Sequence, residues 1–455
     1  MKTWLPQYLP YKRLKPLSSR TLKLSPPAVL ALGFVALIVL GAVLLLLPIA
    51  TTAPLSVLQA LFTATSAVTV TGLVVVDTGS HFTVFGQVII AMLIQAGGLG
   101  FMTFAVVAAI SLGAKIGLMQ QKVAQEAMNQ TSLAHVVNTA KAVLMYSLVI
   151  ELIGVVLLTL VWQQELGIAA ALYHAFFYTI SAFNNAGFAL DSASLMPYAG
   201  SVSVNLIITS LFIIGGIGFT VLMDLKKQRR WQLLSVNTRI VLLATLVINV
   251  IAFVLIWLLE ANNPATLANL SIKDQALAAW FQAVTPRTAG FNTLDYSQVT
   301  DASNVLTLLL MFIGGGSLST ASGIKLGTFA VLIMATYAFL RRRDDVTLFK
   351  RNIPQALVLK ALALTFVSMA LVFIAIFVLT ALEDAPFLDI AFEAVSALST
   401  VGLSRGLTGN LTVPGQCVLI FLMFAGRVGP LTLAYFLATP KKRKTRFADT
   451  KIQVG

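Results

Sequence analysis

Ser66-Ala67-Val68-Thr69-Val70-Thr71-Gly72-Leu73 is a short polar run between two long apolar segments, and the chain repeats this arrangement three more times. The echoes end at Gly187, Gly290 and Gly402, so the four glycines lie 115, 103 and 112 residues apart. Six residues ahead of each glycine stand Ser66, Ser181, Val284 and Ser396, and directly after it stand Leu73, Phe188, Phe291 and Leu403. Such recurrence marks one structural unit used four times in a single chain. The four runs read as the walls of one ion pathway.

The bulk composition agrees with a membrane setting. Of the 455 residues 58% are hydrophobic and 11% charged, with mean hydropathy +0.89, whereas soluble domains carry roughly 25% charged residues. A crossing needs about 20 apolar residues. Eight such segments are expected, with four shorter apolar stretches left over as re-entrant candidates. The first apolar run, about 28–49, is too long for a cleavable leader and reads as a spanning helix. The net charge of +14 gathers ahead of that run, in 115–141, 226–239, 341–360 and 441–451. This is the positive-inside pattern, which excludes nucleic acid as the reason for the charge and puts both termini in the cytoplasm. Asp77, Glu165, Asp191, Glu260, Asp274, Asp295 and Asp301 fall mainly in the opposite loops, where they would concentrate an arriving cation. One cysteine, Cys417, and three scattered histidines, His81, His135 and His174, offer neither a disulfide nor a metal cluster.

The expected organisation is an all-α polytopic protein: an arm at 1–26, units at 27–113, 137–225, 239–340 and 354–438, linkers at 114–136, 226–238 and 341–353, and a tail at 439–455. Each unit reads as helix, half-helix, extended polar loop and helix. The half-helices are expected at 55–66, 169–181, 274–284 and 388–396, and the closing helices at 84–112, 204–225, 305–340 and 413–437. Non-helical backbone survives at membrane depth only where protein or a wet cavity surrounds it. Four such loops satisfy that rule together by converging, which aims their carbonyls at a common axis and lets them replace the hydration shell of a monovalent cation. The half-helices would add their negative C-terminal ends. The runs resemble the filter loops of potassium channels, with one glycine per loop in place of two and with four different sequences.

The third unit departs from the others at Gly314-Gly315-Gly316-Ser317-Leu318-Ser319-Thr320-Ala321-Ser322-Gly323-Ile324-Lys325. Glycine costs about 1 kcal/mol in a helix interior, and Ser and Thr compete for backbone hydrogen bonds, so the spacing predicts an intramembrane loop below the filter. The glycines of 97–100 and 215–218 read instead as helix-packing positions. Lys325 and Arg427 are cations placed away from the cytoplasmic loops, where a charge is expensive and serves a pair or a pathway. Arg427 is expected to face the pore and touch the broken loop. Glu151, Asp224 and Glu393 are assigned structural roles, and no nucleotide motif or catalytic cluster is present in the sequence.

With the four glycine loops and the run 314–325 in place, the chain resembles the Trk/Ktr/HKT superfamily of potassium transporters over nearly its whole length, and within it the membrane subunits of bacterial Ktr systems. The resemblance implies a pseudo-fourfold pore with a filter at Val70, Thr71, Gly72, Asn185, Ala186, Gly187, Thr288, Ala289, Gly290, Thr400, Val401 and Gly402, whose carbonyls hold K+. It implies a gate at Gly314, Gly315, Gly316, Ser317, Ser319, Thr320, Ala321, Ser322, Gly323, Lys325 and Arg427. It further implies sodium-stimulated potassium uptake across the bacterial inner membrane by a homodimer with one pore per subunit. A cytoplasmic KtrA-like ring would carry ATP, ADP or NAD, leaving no organic cofactor on this chain, and the basic loops would face that ring and anionic lipid. A secondary carrier with stoichiometric sodium or proton coupling stays open as the alternative.

Overall fold

Long apolar helices and short ones share the chain, and in each unit the short helix ahead of the glycine runs from an exposed start to a buried end. The structure is a computed structural model describing residues 26–100, 133–343 and 345–429, and it is mostly helical. The first unit holds α1 (Pro26–Leu45), α2 (Val57–Thr69) and α3 (Val84–Gly98). The second holds α4 (Leu133–Leu166), α5 (Ile168–Phe183), α6 (Val202–Ile217) and α7 (Phe219–Lys227). The third holds α8 (Val236–Glu260), α9 (Ile272–Val284), α10 (Asp301–Phe312) and α11 (Leu326–Leu340). The fourth holds α12 (Gln355–Leu382), α13 (Phe387–Ser399) and α14 (Val413–Val428). A two-residue hairpin, Thr347–Leu348 with Arg351–Asn352, is the one β element outside isolated bridges among the described residues.

Among the described residues, α1, α4, α8 and α12 contain stretches long and apolar enough to cross a bilayer: Ala28–Leu45, Thr139–Leu166, Val236–Glu260 and Gln355–Leu382. Val43, Leu152, Leu246, Phe366 and Phe377 are exposed on one side of these helices. In hydrocarbon that surface carries no penalty, and the helices keep their backbone hydrogen bonds to themselves. The short helices α2, α5, α9 and α13 pack inside this layer, and their last turns are buried throughout. Ser56 and Gln59 close a capping box at the start of α2, and Ser271 accepts from Asp274 N at the start of α9, satisfying amide groups the helices leave open. The apolar residues that follow the four glycines, Leu73, Phe188, Phe291 and Leu403, are all buried.

The closing helices of the first, second and fourth units differ from the continuous ones the sequence predicts, whereas that of the third is interrupted where the sequence expects a loop. In the second unit the helix expected over 204–225 is broken at Gly218, where α6 and α7 meet at 90°. Gly218 has φ +101°, and an added methyl there would press into Ser317 O. The packing role read for 215–218 therefore comes with a change of direction. In the first unit α3 ends at Gly98 and Gly100 has φ +84°. In the fourth α14 ends at Val428 before Gly429, with φ +94°. The third unit is interrupted over 313–325. The arm at 1–25, the stretch 101–132 with most of the first linker, residue 344, and 430–455 with the tail lie outside the described residues.

Candidate functional site

The half-helices end in loops that share one backbone sequence of conformations. Val70, Asn185, Thr288 and Thr400, each two residues ahead of its glycine, have φ of 59°, 61°, 70° and 49°. Gly72, Gly187, Gly290 and Gly402 follow at 92°, 67°, 79° and 91°, while the residues between, Thr71, Ala186, Ala289 and Val401, stay out of that region. Alternating handedness turns successive N–H groups to one side of the strand, which leaves the carbonyls on the other. Three of the four leading residues are β-branched, for which positive φ is a genuine outlier costing on the order of 1–3 kcal/mol. The helix ends hold them there. Val70, Asn185 and Thr400 donate their N–H to Ala67, Ala182 and Ala397 O at 3.1, 3.0 and 3.1 Å, and the next residues donate to Ser66, Ser181 and Ser396 O at 2.8, 2.7 and 2.9 Å.

The four glycines form a closed ring. A methyl added to Gly187 would lie 2.6 Å from the Cα of Gly290 and 2.9 Å from Ala289 O, and one added to Gly290 would lie 2.5 Å from Val401 O. On Gly402 it would overlap Thr71 O, and on Gly72 it would overlap Ala186 O. Each glycine thus faces the carbonyl just ahead of the glycine in the next loop, in the order 72, 187, 290, 402 and back to 72. The C-terminal ends of α2, α5, α9 and α13 meet at this ring, and their partial negative charge favours a cation.

Side chains steady the loops unequally. Ser66 Oγ accepts from Gly72 N at 3.0 Å and Ser396 Oγ from Gly402 N at 3.1 Å. Ser181 Oγ is buried without a partner. Val284 has no hydroxyl, and in that loop Thr285 Oγ1 donates to Phe291 O at 2.5 Å instead.

The interruption at 313–325 forms a compact loop lodged against the ring. Gly314 N donates to Ile324 O at 2.9 Å and Leu326 N to Gly315 O at 2.9 Å, closing its neck. Gly316 N donates to Gly216 O at 2.8 Å, Thr320 N to Gly215 O at 3.3 Å, and Phe219 N to Leu318 O at 2.9 Å, so the loop seats on the α6–α7 break. These bonds satisfy backbone that lipid could not. Thr320 Oγ1 donates to Asn185 Oδ1 at 2.8 Å, tying the loop to the second glycine run. Ser319 Oγ donates to Gly316 O at 2.7 Å, and Gly323 takes φ +66°. Lys325 starts α11 and donates to Ala321 O at 2.5 Å.

Arg427 clamps this loop from the opposite side. Its Nη1 donates to Thr320 O at 2.5 Å and to Ser322 Oγ at 3.4 Å; its Nη2 donates to Gly97 O and, at 3.1 Å, to Gly98 O. The glycines of 97–100, read from the sequence as packing positions, therefore also supply carbonyl acceptors. A cavity of about 360 Å³ lies beside this clamp, lined by Gly98, Ser322, Lys325, Ser399 and Arg427 among others.

The acids Glu151, Glu393 and Asp224, given structural roles from the sequence, brace elements around the site. Glu151 accepts from Gln95 Nε2 at 2.9 and 3.0 Å and from Asn184 Nδ2 at 3.4 Å, which joins α4, α3 and the second glycine loop. Glu393 accepts from Ser404 Oγ at 2.5 Å and Thr408 Oγ1 at 2.6 Å, bracing the chain after Gly402. Asp224 accepts from Ser235 N at 2.9 Å and Thr238 Oγ1 at 2.6 Å. Glu260 and Glu383 accept from the backbone and hydroxyls of Thr300 and Thr412, the residues that cap α10 and α14. In the third and fourth units a threonine opens the closing helix and bonds an acid at the end of the preceding long one, a pairing visible only once the two are brought together in space.

The family of TrkH cation transport proteins matches residues 28–445. The chain is 51% identical to the Ktr system potassium uptake protein B of Bacillus subtilis, over 95% of this chain and 97% of that protein. It is 43% identical to the Ktr system potassium uptake protein B of Vibrio alginolyticus, over 94% and 95%. It is 38% identical to the potassium/sodium uptake protein NtpJ of Enterococcus hirae, over 95% and 98%. The crystal structure of the potassium transporter TrkH from Vibrio parahaemolyticus superposes with a TM-score of 0.73 at 23% identity, covering 94% of this chain and 86% of that one. That likeness shows the fold.

Proposed function

Because the chain belongs to the TrkH family of cation transport proteins, and is a transporter and not an enzyme, we propose that it takes up K+ through the ring of four glycine loops. The observation that carries this reading is the ring itself: four unlike loops with one alternating backbone conformation, each glycine against a carbonyl of the next loop. Carbonyls at 70–72, 185–187, 288–290 and 400–402 then replace water around the dehydrated ion. The filter residues need no titration and no chemical step. At roughly −150 mV, inward movement of one cation is favoured by about 3.5 kcal/mol, which supports a concentration ratio of a few hundred.

The gate in this reading is the loop at 314–325, held by Arg427 and seated on Gly215, Gly216 and Phe219. A cation passing the ring reaches a guanidinium and a packed loop, so passage needs the loop to leave its seat. Sodium enters as the stimulating ion, in line with the potassium/sodium name of the Enterococcus hirae relative. Relatives named as protein B of a Ktr system point to a partner subunit. We assign that role to a cytoplasmic KtrA-like ring holding ATP, ADP or NAD, on a homodimer of this chain in the bacterial inner membrane, with both termini and the basic loops facing the ring and anionic lipid.

Flux of 86Rb+ into proteoliposomes with a K+ diffusion potential tests the reading. The expected result is uptake that reverses at the K+ equilibrium potential, with and without a pH gradient. A reversal potential that moves with sodium or proton gradients would replace the pore with a coupled carrier, and no flux with sodium, partner ring and nucleotide all present would remove the transport assignment.

A further inference from the structure

We infer that Arg287 is a positioning residue for the third glycine loop and that its charge lowers the cation affinity of the ring; this rests on the filter reading above. Arg287 lies three residues ahead of Gly290, where the other loops have the neutral residues Thr69, Asn184 and Ser399. It is 8% exposed. Nη1 donates to Asn249 Oδ1 at 2.9 Å and Nη2 to Thr245 Oγ1 at 3.4 Å, while Nε has no partner. Thr245 and Asn249 are one turn apart on α8 and both buried.

This anchor stands in the loop where valine replaces the serine found at that position in the other three. Ser66 and Ser396 hold the N–H groups of Gly72 and Gly402, and Val284 cannot do so for Gly290. The guanidinium bonds to α8 from behind the loop, so the third quadrant is fixed through a side chain to an outer helix. Burying a charge on an amide and a hydroxyl is a costly way to anchor a loop, since a guanidinium stays protonated and a neutral side chain would satisfy the same acceptors. The ion pair among the described residues is Arg405 with Asp389, and Arg287 has no carboxylate within ion-pair distance. Its charge therefore acts on its surroundings without a counter-charge, in one quadrant of the ring.

Three residues of chain span at most about 10 Å, which sets the scale of the separation between the charge and the glycine ring. At an effective dielectric of about 20, a unit charge at that distance weakens cation binding by on the order of tenfold. The charge acts alike on K+ and Na+, whereas the anchor acts on ring geometry and hence on their ratio. The two roles have separate readouts.

The test measures the KM for 86Rb+ and the Rb+/Na+ preference of the full chain in proteoliposomes. Arg287→Met removes the charge and keeps the stem; Asn249→Asp keeps the arginine and gives it a counter-charge. Both are expected to lower the KM about tenfold, and the second does not depend on the first folding. Asn249→Leu keeps the charge but cuts the anchor, and is expected to leave the KM within about threefold while lowering the Rb+/Na+ preference at least fivefold. A KM within twofold of wild type in Asn249→Asp overturns the charge role, and an unchanged preference in Asn249→Leu overturns the anchor. Wild-type protein that carries no Rb+ would instead remove the uptake reading on which both roles stand.

Discussion

Replacing Arg427 with alanine should open the pathway. On the loop side the guanidinium makes a close bond to Thr320 O, 2.5 Å, and a long one to Ser322 Oγ, 3.4 Å. A hydrogen bond from a charged donor contributes about 1.5–3 kcal/mol, and the long contact adds little, so the loop's seat loses about 2–3 kcal/mol. If the closed state dominates, that raises the open fraction by on the order of 30- to 150-fold. The carbonyls of Gly97 and Gly98 lose the other arm, but Gly98 lines the cavity, where water can replace it. The fold should therefore persist. The assay is basal 86Rb+ uptake by the purified chain without a partner ring, in protein that keeps its monodisperse elution and its wild-type melting temperature within a few degrees. Arg427→Lys should fall between the two, because a lysine keeps the charge but reaches one side of the clamp at a time. Unchanged or lower basal uptake in well-folded Arg427→Ala would refute the clamp.

Three further outcomes are expected. Gly402→Ala, which sets a methyl against Thr71 O at φ +91°, should push the first and fourth loops apart and cut the K+/Na+ uptake ratio by more than tenfold, read from competition of each ion with 86Rb+. Thr320→Val is nearly isosteric and removes the 2.8 Å bond to Asn185 Oδ1; losing about 1 kcal/mol should raise basal flux roughly fivefold, and flux at the wild-type level would break the link between the loop and the second glycine run. Glu260→Gln replaces an all-acceptor carboxylate, which takes four hydrogen bonds from Asn263, Thr266 and Thr300, with an amide whose NH2 faces two of those donors. It should lower stability by about 2 kcal/mol, seen as a lower melting temperature, with the cation preference unchanged.

How far the chain can be read without coordinates depends on what each feature is made of. The half-helices end within three residues of where hydropathy puts them, α2 at Thr69, α5 at Phe183, α9 at Val284 and α13 at Ser399. The break in the third unit is legible because four glycines in ten residues make a helix locally unfavourable whatever surrounds them. The break at Gly218 is not, because the glycines at 215, 216 and 218 fit a helix-packing stretch equally well, and the direction of the break follows Ser317 and Leu318 docking from another unit. Contact of Arg427 with the broken loop is expected from the sequence, but its individual partners are hidden for a related reason. Three are backbone carbonyls, and a carbonyl has no signature in a sequence. Arg287 sits inside the polar run Thr285–Thr288, and nothing local names Asn249 or Thr245, which lie 38 and 42 residues away.

The sequence by itself determined the membrane setting, the fourfold unit, the glycine of each unit and the run that cannot be helical, because these follow from composition, length and intrinsic backbone preference. The tertiary structure decided which carbonyl each glycine faces, where the broken run rests and what Arg427 and Arg287 hold. Those outcomes depend on backbone groups brought together across more than a hundred residues, and every residue type presents the same N–H and C=O until the fold puts them side by side.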